Sequence, residues 1–273
     1  IILSDDCSTD RTFEIMEEMA RAYEGPHRVV VRRHLQNLGL IRHVNVVLSS
    51  ARSDIIVLAA GDDISLPHRT SRVTYAFLTS PSTVLVHSNA YDLHAVSQAN
   101  AILTPPFRSK IDLYAAARSA SIYIGATGAI HKSLYCKFGL IDETKTYEDL
   151  VLGFRAILLS GLQYINESLV EYRTGVGISS RHKCSGKIKR AQRIRQQEHL
   201  LATFRQRLHD IEKIDHPDST LRTILRKEIS CCESRLDFHR STLRFLATCL
   251  LEPRYSCLKA LSSETKYMLG FVQ

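Results

Sequence analysis

The apolar run Asp54-Ile55-Ile56-Val57-Leu58 empties into Ala59-Ala60-Gly61-Asp62-Asp63-Ile64-Ser65-Leu66-Pro67. A short apolar run bounded by turn residues reads as a buried β-strand, and Pro67 is suited to the first turn of a helix. The chain is therefore expected to place two adjacent carboxylates at the C-terminal end of a strand, where open α/β sheets bind ligands. Oxygen-only side chains there suit a hard cation such as Mg²⁺ or Mn²⁺, which could neutralise a diphosphate. A turn with a helix cap explains the same residues, and at this point both readings stand.

The flanking sequence has the same grammar. Ile1-Ile2-Leu3 reads as a strand ending at Ser4-Asp5-Asp6-Cys7-Ser8-Thr9-Asp10, and Asp10 is placed to cap a helix with Phe13, Met16, Ala20 and Tyr23 on one face. Val29-Val30-Val31 is a second strand, Leu35 to Gly39 a loop, and Ile41 to Ala51 a helix leading into the strand at Ile55. Strand, helix, strand, helix, strand predicts βαβ units in a mostly parallel sheet. Further on, the pattern predicts a helix carrying Val73, Ala76 and Phe77, and a strand over 83–88. A long excursion over 89–110, a short helix over 112–119 and a strand over 123–130 come next, then a helix over 132–138. Tyr147-Glu148-Asp149-Leu150 opens another helix, where acids also serve the macrodipole, so a structural cap competes with a chemical role. Leu162 to Tyr172 reads as strand, and Arg173-Thr174-Gly175-Val176-Gly177-Ile178-Ser179-Ser180 as an anion-friendly loop.

The chain changes character beyond Arg181. Its net charge of +8 lies in this tail, where residues 181–273 hold 19 Lys and Arg against 10 Asp and Glu. Helices are expected over 187–213 and from Ser219, broken at His216-Pro217, with a third including Leu243, Phe245 and Leu246. Packing on the α/β part, pairing between subunits and lying on an anionic membrane all suit such helices. No apolar run is long enough to span a bilayer. Seven cysteines without a C-x-x-C pair are expected to be reduced thiols of a cytoplasmic protein. Ile1 opens directly into a strand-like segment, so no signal peptide is read and an upstream segment is expected.

Three acidic pairs thus stand at element ends: Asp5-Asp6, Asp62-Asp63 and Glu148-Asp149. In this order, with Asn37-Leu38-Gly39, Gly61-Asp62-Asp63-Ile64-Ser65-Leu66-Pro67 and Thr127-Gly128-Ala129, the chain resembles glycosyltransferase family 2 over about residues 1–180. The resemblance implies a GT-A fold, a Rossmann-like mixed α/β sheet flanked by helices, over 1–180, with 181–273 as a basic helical appendage. It also implies a metal-dependent, inverting hexosyltransferase that moves a sugar from a UDP- or dTDP-linked donor to a saccharide or lipid-linked acceptor. On this resemblance Asp6, beside Asp5, matches the residue that binds the nucleotide base, Asp62 the ribose contact, Asp63 the Mn²⁺ or Mg²⁺ ligand, and Asp149 the base, supported by Glu148. Arg173 is the candidate for the diphosphate.

Two features depart from the family pattern. Its opening strand, with a V-S-I-I-P-x-Y-N-like run, is absent, and Gly175 stands where many relatives have histidine after Y-R. Expected partners are the nucleotide sugar and acceptor, without nucleic acid. The expected location is the cytoplasm, with peripheral attachment at the inner membrane face or homodimerisation through the tail as options. A truncated, non-catalytic scaffold and a nucleotidyltransferase are the competing readings; the latter would want a Gly-rich, basic phosphate loop near the start, and none is seen.

Overall fold

The structure is a computed structural model and describes residues 1–95, 101–108, 112–175, 186–215, 218–242, 245–246, 249 and 255–268. The chain begins β1 (Ile2–Asp5), α1 (Thr12–Arg21), β2 (Val30–Arg33), α2 (Leu40–Ser50), β3 (Ile55–Val57), β4 (Ile64–Ser65), α3 (Arg69–Thr79) and β5 (Leu85–Asp92). It continues β6 (Ile102–Leu103), α4 (Leu113–Arg118), a 3-10 turn at Gly125–Thr127, β7 (Ala129–His131), α5 (Ser133–Phe138), α6 (Glu148–Leu158) and β8 (Leu162–Tyr172). Helices α7 (Gly186–Ile211), α8 (Ser219–Arg240) and α9 (Tyr255–Met268) complete the described elements.

Local chemistry accounts for several element ends. Asp10 accepts hydrogen bonds from the Thr12 backbone N–H at 3.0 Å and the Thr12 hydroxyl at 2.6 Å, which starts α1. Gly39, with φ of 77°, turns the chain into α2. Asp112 caps α4 by accepting from the N–H groups of Tyr114 and Ala115. Gly139, with φ of 74°, stops α5.

The strands form two sheets. β1 and β2 pair in parallel. The larger sheet has the order β3-β7-β5-β8-β4, with β6 on β5. Only β5–β8 is parallel there; β3–β7, β5–β7, β5–β6 and β4–β8 are antiparallel. The sheet is thus mixed, as the family resemblance implies, and not the mostly parallel one that the strand-helix alternation predicts. Apolar runs mark strands but carry no direction, and an antiparallel neighbour needs no crossover helix. Two further boundaries differ. The helix after Pro67 begins at Arg69, because Ile64–Ser65 first pairs with Glu171 and Val170 of β8. Residues 123–130 divide into the 3-10 turn and β7, with Gly125 and Gly128 flanking the break.

β5 is the central strand, and Leu85 to Ala90 are buried on both faces. One hydrophobic cluster joins Leu85, Ile130, Phe138 and the α6 residues Val151, Leu152 and Phe154 to Phe204 and Ile211 of α7 and Leu221, Leu225 and Cys232 of α8. Helices α7 and α8 therefore close the same core that the sheet begins. No helix among the described residues is long and apolar enough to cross a membrane.

Polar fastenings cross this core. Arg155 of α6 and Asp210 of α7, both fully buried, pair at 2.8 and 2.9 Å, and Arg155 also donates to the Gly139 carbonyl at 2.7 Å. Glu264 of α9, also buried, accepts two bonds from Arg193 at 2.8 and 2.7 Å and pairs with His239 Nε2 at 2.8 Å. Burial works to raise the Glu264 pKa, but His239 and Arg193 outweigh it and hold it at about 2. A carboxyl depressed in this way stabilises the fold above its ordinary 4.5, and the contribution is lost as pH falls toward 2. Glu264→Gln should cost about 3–5 kcal/mol in denaturant unfolding at pH 7, because it removes the buried carboxylate that Arg193 is paired with. The difference from wild type should shrink steadily between pH 4.5 and 2. A difference that does not change with pH would contradict this role.

Candidate active site

The first acidic pair ends β1. Asp5 is buried, accepts from the Ser8 backbone N–H at 3.0 Å and from the Ser8 hydroxyl, and pairs with Arg33 Nε at 3.3 Å. Its oxygens thus fold the loop 5–8. Asp6 faces the start of α2, where its carboxylate accepts from the N–H groups of Leu38 at 2.8 Å and Gly39 at 2.9 Å. Asn37 donates to the Asp6 carbonyl at 2.9 Å. Each carboxylate oxygen has two acceptor positions, so Asp6 keeps capacity for a donor from a ligand. Ser4 and His43 Nε2, 2.7 Å apart, make a second tie between β1 and α2.

The second pair follows β3. Asp62 is exposed and Asp63 half-buried. Asp63 Oδ1 accepts the Arg173 backbone N–H at 2.8 Å, and Arg173 Nε donates to the Asp62 carbonyl at 3.1 Å. The other oxygen of Asp63, Oδ2, is buried without a hydrogen-bond partner. Burial pushes the Asp63 pKa up, the Arg173 N–H opposes this, and the neighbouring Asp62 adds to it. An orphaned carboxylate oxygen of this kind is suited to a cation. Among the described residues no three His, Cys, Asp or Glu side chains gather as a metal cluster. That donor set still fits Mg²⁺ or Mn²⁺, since such ions often take one or two carboxylates and fill the remainder with water and substrate phosphate oxygens.

The third pair opens α6. Asp149 Oδ1 accepts the Leu150 N–H at 2.8 Å. Burial first, and the Glu148 carboxylate second, push the Asp149 pKa to about 7, and burial raises Glu148 as well. The phenol of Tyr123, buried and without a partner, faces the same acids and is pushed well above its ordinary value by burial.

Two arginines outside the sequence motifs hold these parts in place. Arg69, 1% exposed, donates to the carbonyls of Leu58 at 2.6 Å, Ala126 at 2.9 Å and Gly128 at 3.3 Å, and to the Ser65 hydroxyl at 2.7 Å. It therefore ties the end of β3, the Asp63 loop and the 3-10 turn together. Arg207 of α7, 0% exposed, donates to the Leu150 carbonyl at 3.0 Å and to the carbonyls of Ala116, Ala117 and Ser119 at 2.8–3.2 Å. A sequence signal for both existed: each stands in helical register with apolar residues, Arg69 with Val73 and Ala76, and Arg207 with Phe204 and Ile211. A cation on an apolar stripe has to find buried acceptors.

The 3-10 turn is the junction. Its Ala126 carbonyl binds Arg69 beside Asp63, while a Cβ at Gly125 would lie 3.4 Å from both Asp149 Cβ and Glu148 Oε1. The turn thus links the Arg69 that lies near Asp63 to the helix start that carries Asp149. Asp5 and Asp6 stand apart from these two acids at the β1–α2 junction; α2 itself is tied to the segment leading to α6 by Asn45, which exchanges hydrogen bonds of 2.8 and 3.1 Å with the backbone of Ile141. Of the loop expected to favour anions, Arg173 to Gly175 follow β8, and 176–180 lie outside the described residues. A hollow of about 390 Å³ elsewhere is lined by Lys145, Glu198, Arg205, Glu233 and Arg240, which pair with one another.

Residues 1–138 match the family described as Glycosyl transferase family 2. The chain belongs to glycosyl transferase family 2. Among solved structures, Staphylococcus aureus TarS is similar at 15% identity with a TM-score of 0.53, over 87% of this chain and 37% of TarS. This chain thus spans little more than a third of that protein. TarS residues 1–349 in complex with UDP-GlcNAc match 98% of this chain and 82% of that one at 15% identity and a TM-score of 0.52. The mannosyltransferase PcManGT from Pyrobaculum calidifontis, in complex with GDP-Man and Mn²⁺, matches 98% and 70% at 16% identity and a TM-score of 0.51. These likenesses establish the GT-A fold. No curated protein matches the chain in sequence.

The raised Asp149 carboxyl has a measurable cost to the family 2 chain. Its folded-state pKa of about 7 lies above the ordinary 3.8, so the folded state holds a proton that the unfolded state has lost, and stability falls as pH rises between those values. Asp149→Asn removes the cost. Its melting temperature should match wild type near pH 4 and exceed it increasingly up to pH 7–8; equal curves across the range would show that Asp149 is not destabilised by burial.

Proposed function

We propose that this chain is a metal-dependent, inverting glycosyltransferase that uses a nucleotide-diphosphate sugar and a saccharide or lipid-linked hydroxyl acceptor. Two observations support the reading in a family 2 chain: Asp149 has a pKa near neutrality against one side of the 3-10 turn, and Asp63 has an unpartnered Oδ2 near the Arg69 that binds the turn's Ala126 carbonyl.

Asp149 is the base. A pKa of about 7 lets an appreciable fraction be ionised at neutral pH while remaining basic enough to accept a proton from an attacking hydroxyl. The acceptor oxygen bonds to the anomeric carbon as its proton passes to Asp149, and the bond to the diphosphate oxygen breaks with its electron pair leaving on the nucleotide. Attack from the face opposite the leaving group inverts the anomeric centre. Glu148 raises the basicity of its neighbour. Asp63 would hold the divalent cation, which when bound supplies charge neutralisation on the leaving diphosphate.

Asp6 binds the nucleotide base and Asp62 the ribose. Asp5 acts through the loop it folds, and Arg173, anchored to the 62–63 loop, faces the diphosphate. UDP and dTDP donors are favoured because an ionised Asp6 can accept from the N3–H of uracil or thymine. That TarS is seen with UDP-GlcNAc and PcManGT with GDP-Man and Mn²⁺ supports the donor class and the cation. In this reading residues 1–180 are the transferase unit and 181–273 a basic helical region against it.

Nucleoside diphosphate release from UDP-GlcNAc, UDP-glucose, dTDP-glucose and GDP-mannose, with and without Mn²⁺, tests the proposal. Release should require Mn²⁺, and Asp149→Asn should lower it by about 10²–10⁴-fold while leaving donor affinity unchanged. Undiminished release by that variant would remove Asp149 as the base, and failure to bind any of the four donors would contradict the transferase reading.

A further inference from the structure

One face of α7 follows the chain segment that leads into the acid pair. His199 stacks on Tyr147 with ring centroids 4.6 Å apart, and the Thr203 and Thr146 hydroxyls are 2.6 Å apart. Gln206 Oε1 accepts the N–H groups of Asp142 at 2.9 Å and Glu143 at 3.0 Å. Arg207 takes the Leu150 carbonyl, and Asp210 pairs with Arg155 one turn further along α6. Residues 199, 203, 206, 207 and 210 share a helical face, so a single rigid surface fixes residues 142–155. That surface lies outside the family-matched segment, which ends at residue 138.

Arg207 is the charged member of this face that acts on Asp149. Its guanidinium, sandwiched near the rings of Phe154 and Phe204 at 5.1 and 5.7 Å, makes no direct bond to a carboxylate. All its hydrogen bonds go to carbonyls of α6 and of the α4 end. The ionisable groups facing Asp149 are Glu148 and Tyr147 at the α6 start, Tyr123 before the 3-10 turn, and Arg207. Asp210 also faces Arg207, but Arg155 occupies it in a two-bond pair.

We propose that Arg207 is a positioning residue for Asp149: from the C-terminal helix it locks the first turn of α6 and holds a fixed positive charge behind the carboxylate. The proposal rests on Asp149 being the base, and gives the C-terminal helical region a part in the chemistry. The charge keeps Asp149 ionisable despite burial beside Glu148, and the fork to Leu150, Ala116, Ala117 and Ser119 sets where the carboxylate points.

The test is a pH titration of the full chain labelled with ¹³C at aspartate carboxyls, with the Asp149 resonance assigned by its loss in Asp149→Asn. In wild type it should titrate near pH 7. Arg207→Met should move the midpoint up by about one unit, since an opposite charge typically lowers a carboxyl by one to three. Arg207→Lys should restore most of the shift. A wild-type midpoint in folded Arg207→Met overturns the proposal. Should the Met variant not fold, the wild-type chain decides: the Arg207 side-chain ¹⁵N shift should follow the Asp149 midpoint, and a flat response overturns the proposal. Transfer retained by Asp149→Asn would instead remove the base reading and leave the titration result standing.

Discussion

The site depends on two buried guanidinium groups that bond to carbonyls instead of carboxylates. Burying a cation costs several kcal/mol, so Arg69 and Arg207 can stay only where fixed carbonyl dipoles replace water. Each answers this with three or more backbone oxygens drawn from different elements. Loss of either head group would strand those oxygens that have no second donor, at about 1–3 kcal/mol each where no water enters; the Gly128 and Ala116 carbonyls keep the N–H groups of Leu58 and Ser119. The β3 end, the 3-10 turn, the α4 end and the start of α6 are therefore held by charge-assisted bonds, whereas the sheet itself contributes only short strands near the acids. Because neither arginine is neutralised by direct contact with Asp63 or Asp149, both carboxylates keep free acceptor capacity for chemistry.

The same burial bears on the start of α6, where a structural cap competes with a chemical role. Acids at a helix N-terminus are ordinarily stabilised in ionised form by about 0.3–1 kcal/mol. Here burial and the adjacent Glu148 outweigh that, and the Asp149 pKa rises to about 7. An acid held at that cost is one that the proposed role as base would explain. Asp5 shows the opposite case: its oxygens bond to Ser8 and Arg33, and its contribution is the shape of the loop that presents Asp6.

Much of this was legible from residue patterns. The apolar runs located β1, β3, β5 and β8, Asp10 announced the start of α1, and the order of the three acidic pairs with Asn37-Leu38-Gly39 pointed to the family. Strand direction was not legible, because hydrophobic runs have none, and Ile64–Ser65 and Ile102–Leu103 are too short to show a period. The charge count of the tail also says less than it suggests. Arg193 is matched to Glu264, Arg205 to Glu233 and Arg240 to Glu198, while Arg207 is internal. Long-range partners such as Asn45 with Ile141, or Arg207 with Leu150, follow from tertiary packing and leave only an oblique trace: a polar residue where the helical stripe calls for an apolar one.

The central claim is that acids from separate elements meet at one cation and diphosphate site. Paramagnetic broadening of backbone amides by Mn²⁺ in the presence of UDP or GDP tests it most directly. The account predicts that Asp63, Ala126 and Asp149 broaden together at the same Mn²⁺ concentration, that Glu264 stays sharp, and that Asp63→Asn abolishes the effect at all three. Broadening confined to Asp63 with Asp149 sharp, or a response unaltered in Asp63→Asn, would contradict it.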